Sequence, residues 1–154
     1  MVGVAFGPGS VLADKQHLQE SFAVAFAATP NSAPPVAYCG EPALDFKVEA
    51  HGDGYSTLGA LTFFLQKTVG ADGAIHGCLT LSTPEGDTLL ATYDGKSGPP
   101  NANNFATDGR GTLMFTGGTG LFKGAKGQAT FTAVFGQGIA FYVIDGKVSA
   151  GHGD

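Results

Sequence analysis

The chain reads as an all-β protein, a single eight-stranded antiparallel barrel, on three observations. Its 25 glycines and 8 prolines are spread along 154 residues, which leaves no room for long helices. Apolar residues recur at every second position in segment after segment, the period of a strand with one buried face. The segments are joined mostly by short turns, which favours antiparallel pairing of consecutive strands. Eight such strands close into a barrel wide enough for a side-chain core or one small ligand.

Residues 1–16 form an arm without clear periodicity. A first strand opens at Glu20, where Glu20, Phe22, Val24 and Phe26 share one parity and Ser21, Ala23, Ala25 and Ala27 the other. Thr29 to Pro35, with its prolines, is expected to end it. Leu44, Phe46, Val48 and Ala50 alternate against Asp45, Lys47, Glu49 and His51, a half-buried second strand. Gly52-Asp53-Gly54 is read as the turn into a long third strand, roughly Ser56 to Val69, with Leu61, Phe63 and Leu65 on one face. Ile75 to Thr83 and Thr88 to Tyr93 make a hairpin around Pro84-Glu85-Gly86-Asp87. A loop from Gly98 to Asn104 leads to Gly111–Thr116, then Gln128–Phe135, and finally Ile139–Val148 before a short tail at 149–154. No linker or internal repeat interrupts the pattern, so one domain spans 1–154.

Composition narrows the function classes. The formal net charge is −5 and the eight basic residues are scattered, so no nucleic-acid-binding face is expected. No apolar run reaches the roughly 18 residues of a membrane helix, and no membrane partner is expected. The first ten residues lack a positive n-region and do not read as a signal peptide, although a leader trimmed beforehand stays open. Cys39 and Cys78 can pair, but two cysteines make no disulfide framework. Two unpaired thiols in a reducing compartment are preferred to a pair, and the missing signal peptide separately favours a cytoplasmic location without fixing one.

Between two of the strands lies Gly117-Gly118-Thr119-Gly120-Leu121-Phe122-Lys123-Gly124-Ala125-Lys126-Gly127-Gln128. Its glycines suit positive-φ turns and close backbone approach, and Phe122 is the plug expected beneath the corner. A phosphate loop is rejected, because Gly124 falls one residue too late for the dinucleotide fingerprint and a strand follows where a helix is needed. The stretch resembles the GGxGxFxGAxGQ pattern of the allene oxide cyclase barrel superfamily, which also takes in the dirigent-like barrels and many bacterial members. Ile139-Ala140-Phe141-Tyr142-Val143-Ile144 looks like that family's last aromatic strand, while Leu58-Gly59 and Glu85-Gly86-Asp87 are looser matches. The resemblance spans roughly residues 57–148. It implies a calycin-like eight-stranded barrel, often trimeric, with an apolar central cavity and chemistry that uses no metal or organic cofactor. The family's cyclases use a carboxylate and an asparagine on the first strand. Counted back from Ser32-Ala33-Pro34-Pro35, those places hold Ala25 or Phe26 and Ala27 or Ala28. Allene oxide cyclase activity itself is therefore not carried over.

Three residues are expected to carry chemistry. Glu20 shares the parity of Phe22, Val24 and Phe26, so desolvation at a cavity mouth would raise its pKa and suit it to acid–base work. Tyr93 and Tyr142 share faces with apolar neighbours, and a phenol there can orient a carbonyl or protonate an enolate. The expected substrate wall is Phe22, Val24, Phe26, Phe46, Phe63, Leu89, Phe115, Phe131 and Phe135. His76 and Cys78, two apart on a strand, lack the second pair a metal site needs, and no metal is expected. The uncharged outer rows Thr112/Met114/Thr116 and Thr130/Thr132/Val134 suit burial against another subunit, a homo-dimer or trimer. The expected function is a cofactor-free enzyme that cyclises, isomerises or otherwise rearranges a small hydrophobic or aromatic molecule. The alternatives are a non-catalytic ligand-binding or coupling-guide barrel and a filled structural one.

Overall fold

A computed structural model describes residues 17–31, 46–99, 108–136 and 139–150. Eight strands follow one another: β1 (His17–Asn31), β2 (Phe46–Ser56), β3 (Gly59–Val69), β4 (Ala74–Ser82), β5 (Thr88–Ser97), β6 (Asp108–Gly118), β7 (Lys126–Gly136) and β8 (Ile139–Ser149). Each is antiparallel to its neighbours in chain order, and β1 pairs with both β2 and β8, so the sheet curls into a barrel. Among the described residues no helix is long and apolar enough to cross a membrane. Side chains are described from Val48 onward; for β1, Phe46 and Lys47 only the backbone is.

The two-residue period sorts the side chains as the sequence predicts. Leu61, Phe63 and Leu65 of β3, Leu79 and Leu81 of β4, Leu89, Ala91 and Tyr93 of β5, Leu113 and Phe115 of β6, Phe131 of β7 and Tyr142 and Ile144 of β8 are all buried. Their alternates face outward. Burying this apolar surface, at about 25 cal/mol per Å² removed from water, is what orders the sheet.

Two boundaries differ from the sequence reading. Gly52-Asp53-Gly54 is not a turn, since β2 runs through it, with Gly52 opposite Phe63 and Gly54 opposite Leu61. The hairpin falls instead at Thr57-Leu58, closed by Gly59 at φ +99. Glycines spaced by two on one face give room to large cross-strand neighbours, a pattern that resembles turn chemistry in sequence alone. β1 also continues past Pro30, which pairs with Val48. Its pairing with β8 extends to Ala27, so among the described residues Pro30 has a strand on one side only, where a residue lacking an N–H fits.

Cys78 is disulfide-bonded, and no described cysteine is free. The free-thiol reading, and the reducing compartment drawn from it, therefore fall; spacing along the chain says nothing about which positions a curled sheet brings together. The sequence holds one other cysteine, Cys39, outside the described residues.

The barrel has two unlike ends. One carries the 57–58 and 83–87 turns and the glycine corner, where a 3-10 turn (Gly120–Phe122) buries Phe122 at 1% exposure. This end is laced shut: Thr119 N donates to Thr88 O at 2.8 Å, Thr88 N to Thr119 Oγ1 at 2.9 Å, and Leu121 N to Asp87 Oδ2 at 3.1 Å. Gly118 cannot carry a side chain, because a Cβ there would lie 2.6 Å from that of Phe122. The other end bears the 70–73 turn and the β1–β2, β5–β6 and β7–β8 connections. Phe122→Ala should destabilise the fold by about 3–5 kcal/mol in denaturant titrations, whereas Leu121→Ala, at an exposed position beside it, should stay within about 0.5 kcal/mol.

Candidate functional site

The interior divides along its axis. Toward the laced end it is largely aliphatic, with Leu61, Leu81, Leu89 and Val148 buried alongside Phe115 and Phe122. Toward the other end it is aromatic. Tyr93 and Phe131 meet edge to face at 5.7 Å between ring centroids, Phe131 and Tyr142 lie 5.7 Å apart and tilted, and Phe135 meets Tyr142 at 6.1 Å. Glycines make the space for these rings. A Cβ on Gly77 would come 2.9 Å from Tyr93, and one on Gly95 or Gly111 would come 2.7 Å from Phe131. Each such contact is closer than carbon atoms pack, so at these positions the strand backbone itself forms the wall of the cage.

Into this cage projects Lys67, which no step of the sequence reasoning singled out. It lies on β3 at the parity of Leu61, Phe63 and Leu65 and is only 6% exposed. Its Nζ donates across the lumen to Tyr142 Oη at 3.4 Å and sits over the Phe135 ring, 4.9 Å from the centroid. Among the described residues no carboxylate pairs with it. Burial alone lowers its pKa from 10.5 to about 8, because the apolar surroundings penalise the charged form. The signal was present in the sequence as the next member of an inward row, but a terminal lysine on a strand ordinarily snorkels to solvent.

The two expected tyrosines are both here. Tyr142 is 5% exposed and burial raises its pKa. Tyr93 is 2% exposed, and its pKa is raised too, first by burial and then by the proximity of Tyr142. Both stay neutral at physiological pH, so they act as hydrogen-bond donors and not as reservoirs of negative charge. The Tyr93 hydroxyl has no hydrogen-bond partner among the described residues, an omission worth about 1–3 kcal/mol in a buried donor. The Tyr93 ring lines a cavity of about 10 Å³ together with Phe63, Leu79, Phe131 and Tyr142, and the surface it meets there is entirely apolar. That volume takes one water-sized group. A separate cavity of about 540 Å³ near the same end lies on the outer side of β5–β7, lined by Lys96, Asp108, Gly109, Arg110 and Val134 among others. Gly109 lies against the Phe135 ring edge, where an added Cβ would come within 3.1 Å. Phe135 is half-buried.

The remaining expected residues are distributed unevenly. Phe63, Phe131 and Phe135 belong to the cage or its cavity, while Leu89 and Phe115 sit in the core toward the laced end. Phe22, Val24 and Phe26 stand in register with Ile144, Tyr142 and Ala140, the inward row of β8; their side chains, and that of Phe46, lie outside the described residues. Glu20 pairs with Gly146, four residues along β8 from Tyr142, or about 13 Å at ~3.3 Å per residue. It thus lies toward the laced end, and the backbone does not bring it to Lys67. His76 and Asp94 share a hydrogen bond on the outer face, between Nδ1 and Oδ1. Among the described residues no three His, Cys, Asp or Glu side chains are placed to share a metal.

A lysine whose folded pKa lies below its unfolded one leaves the native state binding fewer protons, so it opposes folding while both states would prefer charge. The penalty is full below about pH 8, fades between 8 and 10.5, and is absent above; at 1.36 kcal/mol per pH unit it amounts to ~3 kcal/mol. Lys67→Met should therefore stabilise the protein by about 2–3 kcal/mol at pH 7, and this gain should shrink toward zero by pH 10.5. Urea titrations of both proteins across that range measure it. The raised tyrosines act oppositely and only above pH 10, equally in both proteins, so they cancel in the difference.

No protein-family model matches the chain, and no curated protein does. Among solved structures the chain is similar to the pterocarpan synthase dirigent protein GePTS1, at 19% sequence identity over 90% of each chain and a TM-score of 0.45. At that identity no residue role passes from one chain to the other.

Proposed function

We propose that this protein is a closed, calycin-like eight-stranded barrel that binds a small hydrophobic or aromatic carbonyl compound in the aromatic cage and rearranges it without a cofactor. The observation that carries the reading is the Lys67–Tyr142 pair, an amine and a phenol 3.4 Å apart inside an apolar barrel. Burying an amine without a carboxylate opposes folding, which natural cores avoid unless the group has work to do. The unpartnered Tyr93 hydroxyl is a neutral donor for a substrate oxygen once a ligand opens the cage. The amine, its pKa lowered by burial to about 8, suits abstraction of a proton from the carbon next to that carbonyl. Phe131 supplies a flat apolar wall, and the ligand enters by displacing the half-buried Phe135 ring. Glu20, 13 Å or so away by register, is left with a positioning role at most.

A second reading, a barrel that holds or guides its ligand without proton transfer, is favoured by one feature. The cavity beside the Tyr93 ring is lined by apolar side chains and tyrosine rings alone. The two readings separate on 2-tetralone, an enolisable aromatic ketone, incubated in D₂O and followed by proton NMR. The enzyme reading expects accelerated loss of the α-proton signals, falling at least a hundredfold in Lys67→Met and on the order of tenfold or more in Tyr142→Phe. Saturable binding without accelerated exchange would establish the guide reading instead.

The same proposal includes self-association. Val134 of β7 stands opposite Phe141 of β8, flanked by Ile139 and Val143, and all four side chains are 45–62% exposed. A contiguous apolar row of this kind on a sheet face suits burial against a second copy. Sedimentation velocity should find a dimer or trimer, and Phe141→Asp should reduce it to a monomer with unchanged far-UV circular dichroism.

A further inference from the structure

The geometry around Lys67 points beyond a proton-transfer role. We propose that Lys67 is a carbonyl-reactive amine that condenses with a small aromatic aldehyde or ketone in the cage to form an imine, releasing one water molecule. The inference rests on reading the cage as a ligand site.

Four observations converge on it. The amine is buried and faces a phenol and a ring, not a carboxylate, so among the described residues no anion holds it as a salt-bridged cation. Its lowered pKa leaves a useful fraction of neutral, nucleophilic amine at pH 7.5. The Tyr142 hydroxyl, 3.4 Å from Nζ, is placed to relay a proton. The Tyr93 hydroxyl, buried and without a partner among the described residues, is a donor available to polarise a carbonyl oxygen. The surrounding rings also exclude the water that would hydrolyse the product.

The step balances without an oxidant or reductant. The Nζ lone pair attacks the carbonyl carbon and the C=O π pair moves to oxygen, toward Tyr93. A proton passes from nitrogen to that oxygen through Tyr142, which gives one proton and takes one, leaving a neutral carbinolamine. A second proton, taken up from solvent through Tyr142, goes to the hydroxyl and lets the C–O bond break; water departs, the nitrogen lone pair closes the C=N bond, and the positive charge that proton brought rests on nitrogen. The iminium form, which retains the remaining proton on nitrogen, acidifies the neighbouring C–H more than the parent carbonyl does. The amine thus serves the proposed rearrangement covalently.

The lysines themselves provide the control, since Lys96, Lys123, Lys126 and Lys147 are all exposed. The full chain is incubated with benzaldehyde and sodium cyanoborohydride, and the fixed benzyl group is located by peptide mapping. Binding of benzyl alcohol, which lacks the carbonyl, is followed in parallel by two-dimensional NMR. The expected result is a single benzyl group on Lys67, at least tenfold faster than on any exposed lysine, with a rate that climbs through about pH 8. Both Lys67→Arg and Lys67→Met should abolish that adduct while still binding benzyl alcohol; the methionine variant is the more conservative for folding. Tyr142→Phe should slow trapping on the order of tenfold while leaving benzyl alcohol binding within about twofold. If benzyl alcohol binds in the cage but benzaldehyde marks the exposed lysines as fast as Lys67, imine chemistry is overturned and the ligand site survives. If neither probe shifts the cage resonances, the ligand site and the imine are overturned together.

Discussion

The interior of so small a barrel has a fixed volume, and everything else in the structure answers to how that volume is shared. A large inward side chain on one strand requires a small one beside it, because interiors pack as densely as organic crystals. At the aromatic end the trade is visible residue by residue: Tyr93 and Phe131 occupy space that Gly77, Gly95 and Gly111 leave empty. At the laced end Phe122 fills the lumen from a turn and not from a strand, which frees β6 and β7 to carry the glycines and small residues of the corner. The rings are held on several sides and lie in a few tilted and edge-on contacts, so the cage is a rigid frame into which one flexible group, the Lys67 side chain, extends.

This partition gives the two ends different characters. The hydrogen bonds between the Thr88 and Thr119 segments close the laced end with backbone as well as side chains, and opening it would expose the core beneath. At the aromatic end the half-buried Phe135 ring is the surface over which the Lys67 ammonium lies, so the position of that one ring bears on how well the buried charge is held.

Much of the fold was legible, because alternation records which face of each strand is buried, and the rows from β3 to β8 were read off correctly. What failed were the places where one residue type serves two purposes. Glycines 52 and 54 carry the chemistry of a turn and instead make room inside a sheet. Pro30 carries the chemistry of a strand end, yet the strand runs through it, opposite Val48. Tyr93 and Tyr142 were placed on inward faces because their neighbours in the row are apolar. Lys67 was not singled out, although its parity placed it with Leu61, Phe63 and Leu65. Period alone assigns a face; only the curling of the sheet shows that the face is still covered at the strand's end. The bonded state of Cys78 was left open for a similar reason, since a disulfide leaves no periodic trace in the chain.

The volume constraint also weighs against a purely structural barrel. Methionine at position 67 and phenylalanine at position 93 would fill the same space with nearly the same shape. Neither would leave an unpartnered hydroxyl, and neither would set a desolvated amine against the folding equilibrium. A barrel selected only to be filled has no use for these two polar atoms, which subtract from its stability at neutral pH. Their presence inside the aromatic cage sets a cost in stability that a filled core does not need, and the proposed function would account for that cost.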